Sequence, residues 1–341
     1  MDVLEVAGAR IAGLAACVPA NAVPNDPKVA AATGIPARRV APDGVSGLDL
    51  CLAAARRVLA DTGARPADFG AILAVSFTQE TRMPSLAAQA QARLGFPKGI
   101  LAFDLLQACA GWGYGLYLAA LLVRETGKKV LLLDGDKQSA FLKADDPATA
   151  PLLSDGGTAT VVEKAEAGGA PWRFAFQSDG EKGAALKLEK DGTIEMDGFG
   201  VFRFVATDVV AFLKEFLSTL APSTLTPSAL TPYSLLLPPC FFLPHQPNVY
   251  MVRQLAKAVG LEDRVLISVD RFGNLASASV PTTLAAHAAR VASAEGPTRV
   301  LFAGFGGGLA ISAGLVEIAS DCHLSCEEVG SISSTLRREF T

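Results

Sequence analysis

The chain has 341 residues, half of them apolar, which is enough to bury a substantial core and suggests two domains or one large double domain. Lys plus Arg number 30 against 34 for Asp plus Glu, so the net charge is −4. That balance gives no reason to expect a nucleic-acid partner, which meets a clustered basic surface. Six cysteines, Cys17, Cys51, Cys109, Cys240, Cys322 and Cys326, are scattered through apolar surroundings and read as free thiols in a reducing compartment. Asp2, Glu5 and Arg10 break up the amino-terminal apolar stretch, unlike a signal peptide. The most membrane-like run, Leu101 to Val123, contains Asp104, Gln107 and several glycines, and reads as a buried strand, loop and helix. The expectation is a soluble cytoplasmic protein with no membrane partner.

Short β-rich runs alternate with Ala-rich helical patterns, which predicts an α/β fold with mostly buried strands. In the first half the predicted strands are Arg10–Ala16, Ala71–Phe77, Ala102–Leu105, Lys129–Leu133 and Ala159–Glu163. Gly47–Thr62 and Pro84–Leu94 read as amphipathic helices. Gly111–Glu125 is nearly wholly apolar, the pattern of a helix buried on every side. The second half repeats the series with strands Trp172–Gln177, Ser234–Leu237, Val265–Val269, Arg299–Ala303 and Leu309–Val316, and helices Thr207–Leu220, Asn248–Val259 and Ser277–Ala292. Ala221–Pro232, rich in Pro, Ser and Thr, reads as a surface connection. The expected division is residues 1–168, 169–317 and a tail, 318–341, which reads as a peripheral helix or a frayed end.

Three residues stand out. Cys109 lies between a strand and the apolar helix, where the helix amino end favours thiolate and Ala108, Ala110 and Gly111 leave room for an acyl group. By itself it would be inert packing. His245 ends the apolar run Phe241-Phe-Leu-Pro at a strand end, where α/β proteins place their sites, whereas His287 sits on a helix face and His323 in the polar tail. Asn274 closes Asp270-Arg-Phe-Gly, ordinarily turn chemistry, but its amide can donate to a developing enolate beside His245. A duplicated strand-to-helix unit would bring Cys109 and Asn274 together. Gly304-Phe-Gly-Gly-Gly308 lacks the final glycine of a dinucleotide loop and suits an oxyanion hole instead. Ser154-Asp-Gly-Gly reads as a structural turn. Asp321, Cys322, His323 and Cys326 have no second ligand pair and are discounted as a metal site.

Together, Phe103-Asp-Leu-Leu-Gln-Ala-Cys-Ala-Gly-Trp, His245-Gln-Pro-Asn, Asp270-Arg-Phe-Gly-Asn-Leu-Ala-Ser-Ala-Ser-Val-Pro and Gly304-Phe-Gly-Gly-Gly resemble the β-ketoacyl-ACP synthase III family, in its order and over roughly Ile11 to Val316. The resemblance implies the thiolase-like duplicated five-layer α/β/α/β/α fold, a homodimer, and no metal, nucleotide or flavin cofactor. It implies that Cys109 takes an acyl group from acyl-CoA, with the Cys109 and Gly306 N–H groups as oxyanion hole. His245 and Asn274 would then stabilise the enolate from malonyl-ACP, or malonyl-CoA, as carbon dioxide leaves. It also places Phe305 and Asn248 beside the substrate, and Met83 where an aromatic residue closes the acyl pocket across the dimer. Glu80 and Arg82 flank Met83, as surface charge or as partners of a polar acyl group. The tryptophan and arginine that flank the CoA adenine in the family are missing from Asn25–Arg39 and from the region of Pro147, and Tyr250 stands where an arginine docks the carrier. Two other readings stay open: acyl transfer to an alcohol or amine without decarboxylation, with His245 as general base, and a non-catalytic partner subunit.

Overall fold

A computed structural model describes residues 1–166, 169–189, 192–220, 240–291 and 296–330. The chain opens with β1 (Leu4–Val6), β2 (Ala9–Pro19), β3 (Ala22–Pro24), α1 (Pro27–Thr33) and β4 (Ala37–Arg39). Next come α2 (Gly47–Thr62), β5 (Phe69–Val75), α3 (Leu86–Arg93), β6 (Leu101–Leu105), α4 (Gly111–Thr126), β7 (Lys129–Asp136) and β8 (Gly156–Lys164). The second half holds β9 (Trp172–Ser178), β10 (Leu186–Leu188), β11 (Ile194–Met196), α5 (Gly198–Phe204), α6 (Val210–Thr219), β12 (Cys240–Pro244) and α7 (Val249–Ala258). Last are α8 (Ser279–Ala286), β13 (Thr298–Gly306), β14 (Ala310–Ile318) and β15 (His323–Val329).

The strands form two large sheets, ordered β15-β2-β8-β7-β5-β6 and β1-β9-β14-β13-β12. Each contains the same run: an antiparallel pair (β2–β8, β9–β14), a second (β8–β7, β14–β13), then a parallel pair (β7–β5, β13–β12). Period-two alternation gives the central strands β2, β5, β7, β8, β13 and β14 two buried faces. Ile72, Leu131, Leu133 and Val161 pack outward on α2 and α3. Leu73, Leu132, Val300 and Phe302 face inward onto α4 and α8, which lie between the sheets. Phe242, Leu301 and Ala313 pack outward on α6 and α7. The layers are therefore α/β/α/β/α, and the all-apolar α4 is in the middle because both its sides meet a sheet. Its Trp112 stands edge-on to Phe302 of the other half, ring centroids 5.0 Å apart.

The structure departs from the sequence reading in four places. Val265–Val269 is not a strand: only Val265 bridges, to Phe242, and Val269–Phe272 turns helical. The buried Gln246 explains this, since its Oε1 accepts the Ser268 and Val269 N–H groups while its Nε2 donates to the Pro244 and Leu266 carbonyls. A side chain thus takes bonds that a ladder would need. The tail is neither helix nor frayed where described, because His323–Val329 joins β2 in parallel. Thr207–Leu220 is part of a longer helical run that begins at Gly198 and passes through a π-turn at Val205–Val209. Ser277–Ala292 breaks into a 3-10 turn, α8 and a short helix, Ala288–Val291. The predicted strand Ser234–Leu237 and connection Ala221–Pro232 lie outside the described residues. Among the described residues, no helix is long and apolar enough to cross a membrane.

Candidate active site

Cys109 enters α4 through a strained turn. Ala108 has φ 39°, in the left-handed region that a residue with a Cβ rarely adopts. The turn is held from both halves: Ala110 N–H donates to Gln107 O at 3.0 Å, and Ser312 Oγ of β14 donates to Ala110 O at 2.8 Å. Gly306, at the end of β13, lies against the cysteine. A Cβ there would stand 2.8 Å from Cys109 Cβ and 3.1 Å from Sγ, so only glycine admits this approach.

His245 follows β12 and is nearly buried, its N–H donating to Ala303 O at 2.6 Å. The imidazole meets Phe305 edge-on, centroids 5.4 Å apart, and its Nδ1 has no partner among the described residues. Asn274 is joined to the strand β8 approach by a bridge to Leu153 and by its N–H to Leu152 O at 3.0 Å. Its Oδ1 accepts the Ala276 N–H at 2.9 Å, which leaves the Nδ2 hydrogens as the free donors. Gly273, at φ 73°, permits this seat, since a Cβ would come within 2.1 Å of Ser154 Oγ.

Burial dominates the electrostatics. It pushes the Cys109 thiol up to about 12, with Asp136 adding to the shift and the cysteine's own backbone N–H opposing it. Although it touches the cavity, protein surrounds the residue on its other sides, so the expected thiolate at the helix amino end gives way to a resting thiol. Burial likewise holds His245 down at about 3, against a hydrogen bond to the Ala276 backbone. At neutral pH the site therefore rests as a neutral thiol and a neutral imidazole.

Cys109, His245 and Asn274 line one cavity of about 910 Å³, along with Phe305, Gly306 and Asn248. The Oδ1 of Asn248 is engaged in capping α7, accepting Met251 N–H at 2.8 Å. Met83 lies outside the cavity of its own chain and is 83% exposed, with Glu80 and Arg82 exposed beside it. A smaller pocket of about 320 Å³ between α2 and α3 contains none of these residues except Glu80. The sequence reading missed Gln138, a buried cavity-lining side chain just beyond β7. Its one advance signal was a polar residue directly after an apolar strand. All six cysteines are free, and no cluster of His, Cys, Asp or Glu fit for a metal occurs among the described residues.

Comparison with known proteins identifies the family. The family described as 3-oxoacyl-(acyl-carrier-protein) synthase III matches residues 103–180, and its C-terminal counterpart matches residues 240–318. Similarity to the β-ketoacyl-(acyl-carrier-protein) synthase III of Staphylococcus haemolyticus is 30% identity over 288 residues, 84% of this chain and 88% of that one. The chain belongs to the β-ketoacyl-ACP synthase III family. A second synthase III, from Geobacillus kaustophilus, is 30% identical over 315 residues, covering 89% of this chain and 96% of the relative. The crystal structure of a 3-oxoacyl-(acyl-carrier-protein) synthase from Burkholderia xenovorans LB400 superposes with a TM-score of 0.86 at 26% identity, over 96% of this chain and 99% of that one. The fold is thus the thiolase-like one, and the two family matches carry Cys109 in the first segment and His245 and Asn274 in the second.

Proposed function

We propose that the protein is an acyltransferase catalysing decarboxylative Claisen condensation of an acyl thioester with malonyl-ACP. The observation that supports this most is the convergence of Cys109, His245 and Asn274 on one cavity, with Gly306 against the thiol. The Cys109 thiol takes the acyl group from acyl-CoA, forming the Cys109 thioester and releasing the CoA thiol with the proton. Malonyl-ACP then loses carbon dioxide. The His245 Nε2–H and Asn274 Nδ2–H donate to the enolate oxygen, a role that a neutral imidazole can fill. The enolate carbon attacks the acyl-cysteine carbonyl, whose oxyanion meets the Cys109 and Gly306 N–H groups. Collapse releases the β-ketoacyl thioester, and the cysteine regains a proton.

The protein works as a homodimer in this reading, with residues 1–168 and 169–317 as the two catalytic halves. The free edge of β6 supports the dimer, because the strand exposes Leu101 (50%) and Phe103 (36%), and Leu106 (72%) directly follows it. Intact-protein mass spectrometry against an acyl-CoA panel tests the acylation step, with Cys109→Ala as control. A single acyl adduct on the native chain, absent from the variant, is expected together with carbon dioxide release from malonyl-ACP. Acylation without carbon dioxide release would indicate transfer to an alcohol or amine instead, and no adduct from any donor would leave a non-catalytic subunit.

A further inference from the structure

We infer that Gln138 is a positioning residue for Asn274, so that one buried amide at the end of β7 governs the decarboxylating half of the site. This rests on the condensation reading above. Gln138 is 1% exposed and lines the same cavity as Cys109 and Asn274. Its Nε2 donates to Ser154 O at 2.6 Å and to Asn274 O at 2.8 Å, which uses both amide hydrogens. The Ser154 N–H also donates to Asn274 O, at 2.9 Å. Gln138 therefore clamps two chain segments that meet through the Leu153–Asn274 bridge.

This clamp acts on catalysis because the Asn274 side chain has little independent freedom. Its Oδ1 is tied to the Ala276 N–H, so the direction of Nδ2 follows the backbone that Gln138 holds. An apolar side chain of similar length would fill the space but would take the Gln138 donor from Ser154 O and leave Asn274 O with the Ser154 N–H alone. Gln138 makes no hydrogen bond to Cys109, so the two half-reactions should separate.

The test compares native protein with Gln138→Met, Asn274→Ala and the double variant, measuring S-acylation of Cys109 and carbon dioxide release from malonyl-ACP separately. The expected result for Gln138→Met is acylation within about twofold of native and decarboxylation reduced at least about tenfold, toward the ~10²-fold that a misplaced catalytic group can cost. The drop should appear in kcat rather than KM. The double variant should be no slower than Asn274→Ala, since the two act as one unit. Equal loss in both half-reactions would mark a general structural role and overturn the inference, as would native decarboxylation in Gln138→Met or additive losses in the double variant. Native protein that neither acylates nor decarboxylates would overturn the condensation reading itself, and the inference with it.

Discussion

The two halves share a strand order and a backbone device but use them for different chemistry. Each central helix is entered through a non-glycine residue in the left-handed region, Ala108 at φ 39° and Ala276 at φ 50°. In the first half the turn presents Cys109, the proposed nucleophile, backed by Gly306 of the second. In the second half it presents Asn274, backed by Ser154 and Gln138 of the first. The first half thus supplies Cys109 and the seat for Asn274, and the second supplies His245, Asn274 and the seat for Cys109. The sheet edges are exchanged as well: β1, from the amino end, pairs with β9, and β15, from the carboxyl side, pairs with β2. A duplicated fold becomes one site because neither half can build its seat alone.

Removing the two functional groups gives the largest test of this division. Cys109→Ala should abolish S-acylation and cut condensation by about 10³-fold or more, while malonyl decarboxylation survives. Asn274→Ala should do the reverse, leaving acylation intact and slowing decarboxylation about 10²- to 10³-fold. If either variant loses both half-reactions while folded, the separation between halves is wrong.

The glycine seats give a smaller effect. Gly306→Ala places a Cβ 2.8 Å from Cys109 Cβ, and the expected consequence is slower acylation by about tenfold, for a misfit of ~1–3 kcal/mol. Stopped-flow acylation kinetics would measure it.

pH provides a subtler comparison. His245 is held neutral by burial down to about 3. Decarboxylation by folded protein should therefore stay flat from pH 8 to about 5, where an imidazole at its ordinary value near 6.5 would already have titrated. Stability follows the same sign. Because the native pKa lies below the unfolded one, the unfolded chain takes up the proton first, and stability falls as pH drops below about 6.5 toward 3. The urea midpoint of native protein should fall relative to that of His245→Gln as the pH drops across that window.

The edge strand should give the smallest effect. Glu328 of β15 accepts from Arg271 Nη2 at 2.8 Å and Arg39 Nη1 at 2.8 Å. Both guanidiniums lie over Phe272, at 4.5 and 5.9 Å from the ring centroid. These pairs are partly exposed, so Glu328→Ala should cost no more than ~1 kcal/mol, seen as a small fall in Tm with both half-reactions retained.

The strands were legible where their pattern was local. Lys129–Leu133 carries the apolar run Val130–Leu133, Trp172–Gln177 alternates around Trp172, Phe174 and Phe176, and the observed strands start at the same residues. The run Val265–Val269 is also mostly apolar and β-branched yet fails, because the deciding partner is Gln246, some 20 residues away. The carboxyl-terminal strand was missed for a related reason. His323–Val329 is too polar to announce a core strand, and its place depends on an open edge of β2 made by the first residues of the chain.

The sequence by itself determined the α/β class and the residue types capable of acyl transfer, since periodicity and side-chain chemistry are properties of short segments, while the duplicated layering was implied by the family resemblance. Only the tertiary structure decided that Cys109 rests as a thiol, that Asn274 turns its amide hydrogens free, and that Gln138 belongs to the site. The thiol depends on desolvation and the Gln138 contact on a hydrogen bond to a segment more than 100 residues away, while the Asn274 amide is turned by its bond to the Ala276 N–H in a turn that this contact holds.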